Sequence, residues 1–131
     1  MAKPRGHLDS QYLVEKMEEE GITTLQLVPS MLKVLVEEEA LSRCKGLKRI
    51  CSGGEVLSQE LAEKVMEGGM EVVNLYGPTE ATIDTTYCVG EKGKAMTIGR
   101  PIANVQVYVL DEGMRPVPIG VSGELYIGER A

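Results

Sequence analysis

From Leu8 to Leu75 the apolar residues alternate between two spacings. Tyr12, Leu13 and Met17, with Leu8, fall on one stripe at helical intervals. Asp9 or Ser10 can cap that helix, Gly21 can end it, and Glu18-Glu19-Glu20 forms its solvated face. Ile22 to Val28 is a buried strand with Thr23, Thr24 and Gln26 interleaved. Pro29-Ser30 opens a second helix with Met31, Leu32, Leu35 and Val36 toward the core and Glu37-Glu38-Glu39 toward water. Ala40 to Gly46 is a connection, and Lys48 to Ser52 a short strand. Ser58 caps a third helix carrying Leu61, Ala62, Val65 and Met66, which Gly68-Gly69 ends before the strand Met70 to Leu75.

Alternation of helix and strand predicts an α/β fold with a partial parallel sheet and helices on its faces. After Glu80 the helical spacing disappears. Ile83 to Val89 reads as an extended segment, Glu91 to Ala95 as a loop, and Val105 to Leu110 and Glu124 to Ile127 as strands. Asp111-Glu112-Gly113, Pro116, Pro118, Gly120 and Gly123 supply turns. A subdomain boundary is expected near residue 97, giving an α/β part over 1–96 and a β-rich part over 97–131.

Composition narrows the function. With 131 residues the chain can bury a core of its own, and a net charge of −6 disfavours a nucleic-acid backbone as partner. No apolar run approaches the roughly 20 residues of a membrane span, and no signal peptide is visible. Cys44, Cys51 and Cys88 form no CxxC pair, which suits a reducing cytoplasm, and Cys51 reads as a small core residue. His7 is the sole histidine and reads as a surface residue, so a histidine-based metal site or triad has almost no support.

The candidate chemistry lies at Val73-Asn74-Leu75-Tyr76-Gly77-Pro78-Thr79-Glu80. An apolar strand runs into a Gly-Pro turn and presents a hydroxyl and a carboxylate at its carboxyl end, where open α/β sheets bind ligands. Thr79 suits a phosphate oxygen, Glu80 suits Mg²⁺, Tyr76 offers a stacking face, and Asn74 can accept from an exocyclic amine. Gly53-Gly54 lets the backbone approach something closely. A strand, a turn and a threonine helix cap explain the same residues without any ligand.

Asn74-Leu75-Tyr76-Gly77-Pro78-Thr79-Glu80 resembles a core motif of the adenylation domains of nonribosomal peptide synthetases, members of the adenylate-forming superfamily. Leu47 to Leu57, with its Gly-Gly-Glu, is similar to a second family stretch, and Gly123-Glu124-Leu125-Tyr126-Ile127-Gly128 to a third. With Ile98-Gly99-Arg100-Pro101 the match runs from about Gly6 to Gly128. The resemblance implies that Gly53, Gly54 and Glu55 line an adenine slot with backbone, that Asn74 bonds the adenine edge, and that Tyr76 and Gly77 complete the slot. It implies that Thr79 contacts the α-phosphate of ATP and that Glu80 holds Mg²⁺. It also places residue 97 where an α/β subdomain gives way to a β-barrel.

The resemblance further implies an amino-acid pocket lined by Gln26, Ile50, Ser52, Leu75, Ile83 and Asp84. With Gln26, Ser52 and Asp84 polar, such a pocket favours a side chain able to hydrogen-bond, serine or glutamine for example. The family's phosphate loop is expected upstream, and its ribose-binding aspartate and catalytic lysine downstream. The chain is therefore expected to be an internal piece, inactive alone, of a cytoplasmic enzyme that uses ATP, an amino acid and a carrier-protein domain. Two alternatives remain: an acyl- or aryl-CoA ligase of the same superfamily, and a non-catalytic nucleotide-binding module. The charge-free strand Val105 to Leu110 would leave bare edges in a lone hairpin. Packing back on the body, mobility, and pairing of two copies into a homodimer all stay open, and pairing satisfies the most backbone groups.

Overall fold

The computed structural model describes Gly6, residues 9–81 and residues 83–129. His7 and Leu8, each given a place by the sequence, lie outside the described residues. Helix α1 spans Ser10–Glu19, β1 Thr24–Leu27, α2 Pro29–Glu37, β2 Arg49–Gly53, α3 Gln59–Glu67 and β3 Glu71–Tyr76. Strands β4 (Thr86–Val89), β5 (Arg100–Pro101), β6 (Val105–Leu110) and β7 (Glu124–Glu129) follow. The first five strands form one sheet in the order β1-β2-β3-β4-β5. Strands β1, β2 and β3 run parallel, and β4 and β5 join antiparallel. A separate two-stranded antiparallel sheet pairs β6 with β7. This is the α/β architecture with a small β-rich tail that the periodicity predicts.

The helix ends follow their sequence signals. The Asp9 carboxylate accepts from the Tyr12 N–H at 3.0 Å, and the Ser58 hydroxyl oxygen accepts from the Leu61 N–H at 3.3 Å. The core stripe of α1 is rotated from the expected one: Val14 and Met17 are buried, while Tyr12 and Leu13 are half-buried. The helix rolls because its inner face meets the segment after α2. Ala40–Arg43 there is a 3-10 turn, not a plain connection, and Ala40, Leu41 and Cys44 are core residues.

Alternation divides the sheet into two unlike faces. Leu25, Leu27, Ile50, Ser52 and Val72 share the face that meets α1, α2 and α3. Ile50, Val72, Leu32 and Val65 are all within 1 % of complete burial, each contributing about 1.5–3 kcal/mol. Gln26, Cys51, Leu75 and Tyr87 point to the other face. Among the described residues no helix covers that face, so the flanking helices all pack on one side of the sheet. The Arg49–Glu71 ion pair lies on it, joining β2 to β3.

The expected extended segment Ile83 to Val89 is shorter than alternation suggests. Ile83 has φ +63°, a left-handed conformation unusual for a β-branched residue, and the strand starts only at Thr86. The chain must reverse between β3 and β4, and in that reversal the Ile83 carbonyl comes close enough to Gly77 that a Cβ there would lie 2.1 Å from it. The β6–β7 connection is organised by Asp111, whose carboxylate accepts from the N–H groups of Gly113 and Arg115, both at 2.9 Å. Those bonds and the Arg115 guanidinium hold its carboxyl below the usual carboxylate range.

Candidate functional site

Two cavities flank the carboxyl end of β3. The first, about 410 Å³, is walled by Gly54, Glu55, Asn74, Tyr76 and Gly77, and closed by Met96, Thr97 and Ile98. Five residues that the sequence singles out for nucleotide binding thus meet around one space. The parallel pairing of β2 with β3 causes this: Gly53 sits beside Leu75, so the Gly-Gly-Glu loop and the Tyr-Gly-Pro turn leave the sheet at the same edge. A Cβ at Gly53 would lie 2.7 Å from the Leu75 carbonyl oxygen, which demands glycine there, and Gly54 takes φ +84°.

Glu55 has a task that its motif does not reveal. Its carboxylate accepts from the Ser30 N–H at 2.9 Å and from the Ser30 hydroxyl at 3.0 Å. The first residue before α2 is Val28, which has no side-chain cap, so Glu55 caps that helix from another loop. Its side chain ties the loop down at the wall of the cavity. Glu55→Ala is expected to cost about 1 kcal/mol, read as a lower urea midpoint. An unchanged midpoint would remove this tie from the account.

Asn74 is half-buried, and its Nδ2 donates to the Thr97 carbonyl at 2.8 Å. Tyr76 is half-buried in the wall, and its backbone carbonyl accepts from the Thr85 N–H at 2.8 Å and hydroxyl at 3.0 Å. Pro78 to Ala81 forms a turn closed by an Ala81 N–H bond to the Pro78 carbonyl at 3.0 Å. Thr79 and Glu80 occupy its two central positions and are exposed.

The second cavity, about 540 Å³, lies beyond that turn. Glu80, Asp84 and Thr85 form one side, and Ile102, Asn104 and Ile127 the other. Among the described residues there is no group of three or more His, Cys, Asp or Glu able to hold a metal. Glu80 therefore stands as a single carboxylate with Asp84 in the same wall. Mg²⁺ commonly takes one or two protein carboxylates together with phosphate oxygens, so this donor set fits it.

The six residues of the expected amino-acid pocket take different positions. Gln26 is exposed and Leu75 half-buried on the uncovered face of the sheet. Ile83 is exposed, and Asp84 lines the second cavity. Ile50 is in the core under the helices, and buried Ser52 donates its hydroxyl to the Leu27 carbonyl at 3.0 Å. Cys51 is half-buried beside Gln26, where burial pushes its thiol up, with the Arg49 charge acting the other way. Thr86, next to Tyr76 in register, is buried with no partner for Oγ1 among the described residues. Sequence reasoning missed Met96 and Thr97 altogether, because they reach the cavity from a loop with no motif of its own.

Over residues 1–131 the sequence matches the family described as AMP-binding enzyme. The chain belongs to the AMP-binding enzyme family. It is similar to phosphinothricin tripeptide synthetase PhsB of Streptomyces viridochromogenes, 44% identical over 131 residues, covering 98% of this chain and 11% of the relative. It is also similar to tyrocidine synthase 3 of Brevibacillus parabrevis, 43% identical, covering 97% of this chain and 2% of the relative. The chain thus spans about a tenth or less of these curated relatives. Among solved structures it resembles holo-AB3403, a four-domain nonribosomal peptide synthetase bound to AMP and glycine. That likeness has TM-score 0.84 and 40% identity over 97% of this chain and 10% of the synthetase. The adenylation and carrier protein PA1221 gives TM-score 0.81 at 26% identity, over 92% of this chain and 26% of that one. Membership fits the first cavity, where glycines, an amide and an aromatic ring surround a space between two strand ends. No helix among the described residues is long and apolar enough to cross a membrane.

Proposed function

We propose that this chain carries the adenine wall and part of the amino-acid pocket of an adenylation domain. The reaction joins ATP and an amino acid into aminoacyl-AMP, releases pyrophosphate, and supplies a carrier domain of the same synthetase. What carries the reading is the convergence of Gly54, Glu55, Asn74, Tyr76 and Gly77 on one cavity. Tyr76 offers the stacking face and Asn74 the edge contact, and Gly54 lets backbone replace side chain against the base. Thr79 contacts the α-phosphate from the turn beside this cavity. Glu80 holds Mg²⁺, which supplies Lewis-acid neutralisation of phosphate charge when bound.

In this reading the substrate side chain meets Gln26, Leu75, Ile83 and Asp84, with Ile50 and Ser52 shaping the sheet from behind. The Ser52 hydroxyl is already bonded to Leu27, so Gln26 and Asp84 supply the polar selectivity. That favours an amino acid whose side chain hydrogen-bonds. Titrating ATP into the ¹⁵N-labelled chain tests the nucleotide assignment. Amide shifts should concentrate at Gly54, Asn74, Tyr76 and Gly77. Shifts that spread over unrelated surface, or none at millimolar ATP, would overturn it.

A further inference from the structure

We infer that Thr97 is a positioning residue for base recognition: its carbonyl orients the Asn74 amide so that Oδ1, not Nδ2, faces the base in the 410 Å³ cavity. The inference rests on the nucleotide reading above. The two ends of an asparagine amide are nearly the same shape, so a partner must decide which is which. A carbonyl can only accept, and the Thr97 carbonyl lies 2.8 Å from the amide. The end it meets is therefore Nδ2. Among the described residues no donor reaches Oδ1, which leaves an acceptor in the wall of the cavity.

Thr97 is itself held from two directions. Its Oγ1 accepts from the Gly99 N–H at 3.2 Å and donates to Cys88 Sγ at 3.6 Å. Cys88 is the residue of β4 directly opposite Asn74 of β3. One hydroxyl thus ties the loop before β5 to the strand beside Asn74, and keeps the carbonyl aimed at the amide. An acceptor at this point matches the exocyclic amine of adenine. Guanine carries an oxygen at the equivalent ring position, and two acceptors facing each other leave both unpaired. Thr97 sets base selectivity through the orientation it gives Asn74.

The test compares ATP and GTP binding by the ¹⁵N-labelled chain, its Thr97→Val and Thr97→Ser variants, and the Asn74 side-chain amide signals of each without nucleotide. The native chain should prefer ATP by about tenfold or more, the equivalent of one good hydrogen bond. Thr97→Val should bring the two nucleotides within roughly threefold, mainly through weaker ATP binding, and Thr97→Ser should restore the preference. The Asn74 amide should exchange slowly in the native and serine forms and fast in the valine form. Nucleotide binding with an unchanged ATP-to-GTP ratio in Thr97→Val would overturn the role of Thr97 and leave the nucleotide assignment standing. Shifts with neither nucleotide would overturn that assignment, and this inference with it. Should Thr97→Val fail to fold, Cys88→Ala removes the acceptor of the same hydroxyl, and a ratio that stays native there overturns the inference equally.

Discussion

Gly99→Ala is expected to destabilise the chain by roughly 3 kcal/mol or more, while Gly93→Ala costs about 1 kcal/mol. Both glycines sit in the left-handed region, at φ +75° and φ +76°. They differ in surroundings. A Cβ at Gly93 would meet nothing within 4 Å, so only the backbone conformation opposes it. A Cβ at Gly99 would lie 1.9 Å from the Tyr87 carbonyl oxygen and 2.8 Å from the Cys88 Cα, and both belong to the backbone of β4. Backbone cannot swing aside as a flexible side chain can, so β4 and β5 must separate. For a domain whose whole stability is about 5–15 kcal/mol, that is a large fraction. Urea denaturation of the two variants beside the native chain gives the comparison. Equal midpoint shifts would show that the close approach carries no energy of its own.

Glu80→Ala should lower the turnover number by about a hundredfold or more in an amino-acid-activating enzyme that contains this chain. Under the proposed function, negative charge grows on the phosphates as the carboxylate attacks, and Glu80 would hold the metal whose charge would offset it. Exposure of Glu80 in the middle of the Pro78 to Ala81 turn leaves its carboxylate available for that task. Tyr76→Ala should act differently, raising KM for ATP with a smaller effect on turnover, because stacking is similar in ground and transition states. Amino-acid-dependent pyrophosphate exchange over a range of ATP concentrations separates the two patterns. A Glu80→Ala enzyme with native turnover would remove the metal role.

Local chemistry alone sufficed for the helices and for most strands. Asp9 and Ser58 are caps whose side chains bond the first turns they precede, and such bonds need no distant partner. The period of Leu32 and Leu35, or of Ala62 and Val65, demands a buried face whatever covers it. The Tyr-Gly-Pro-Thr-Glu stretch was legible for a similar reason: turn residues and ligand-type side chains sit side by side in the chain. Val14 and Leu41 were not legible, since burial there depends on how far α1 rolls against the segment after α2. Nor was the left-handed turn at Ile83, which sits where its carbonyl closes on Gly77, 2.1 Å from where a Cβ would lie, an approach between residues that belong to no shared local pattern.

The residue types that a nucleotide requires were present in the sequence by themselves, because amide, ring, hydroxyl and carboxylate chemistry belongs to single side chains. Which of those groups are free to act was decided by tertiary structure, because hydrogen bonds are exclusive and their partners come from far along the chain. Glu55 has its carboxylate taken up by Ser30, 25 residues before it, and Ser52 has its hydroxyl taken up by Leu27. Asn74 has one of its two amide N–H groups taken up by Thr97, 23 residues after it, and keeps its acceptor. The parallel register of β2 on β3 brings the Gly-Gly-Glu loop to the Tyr-Gly-Pro turn, and that register arises from helices packing on one face, a contact no single stretch of sequence contains.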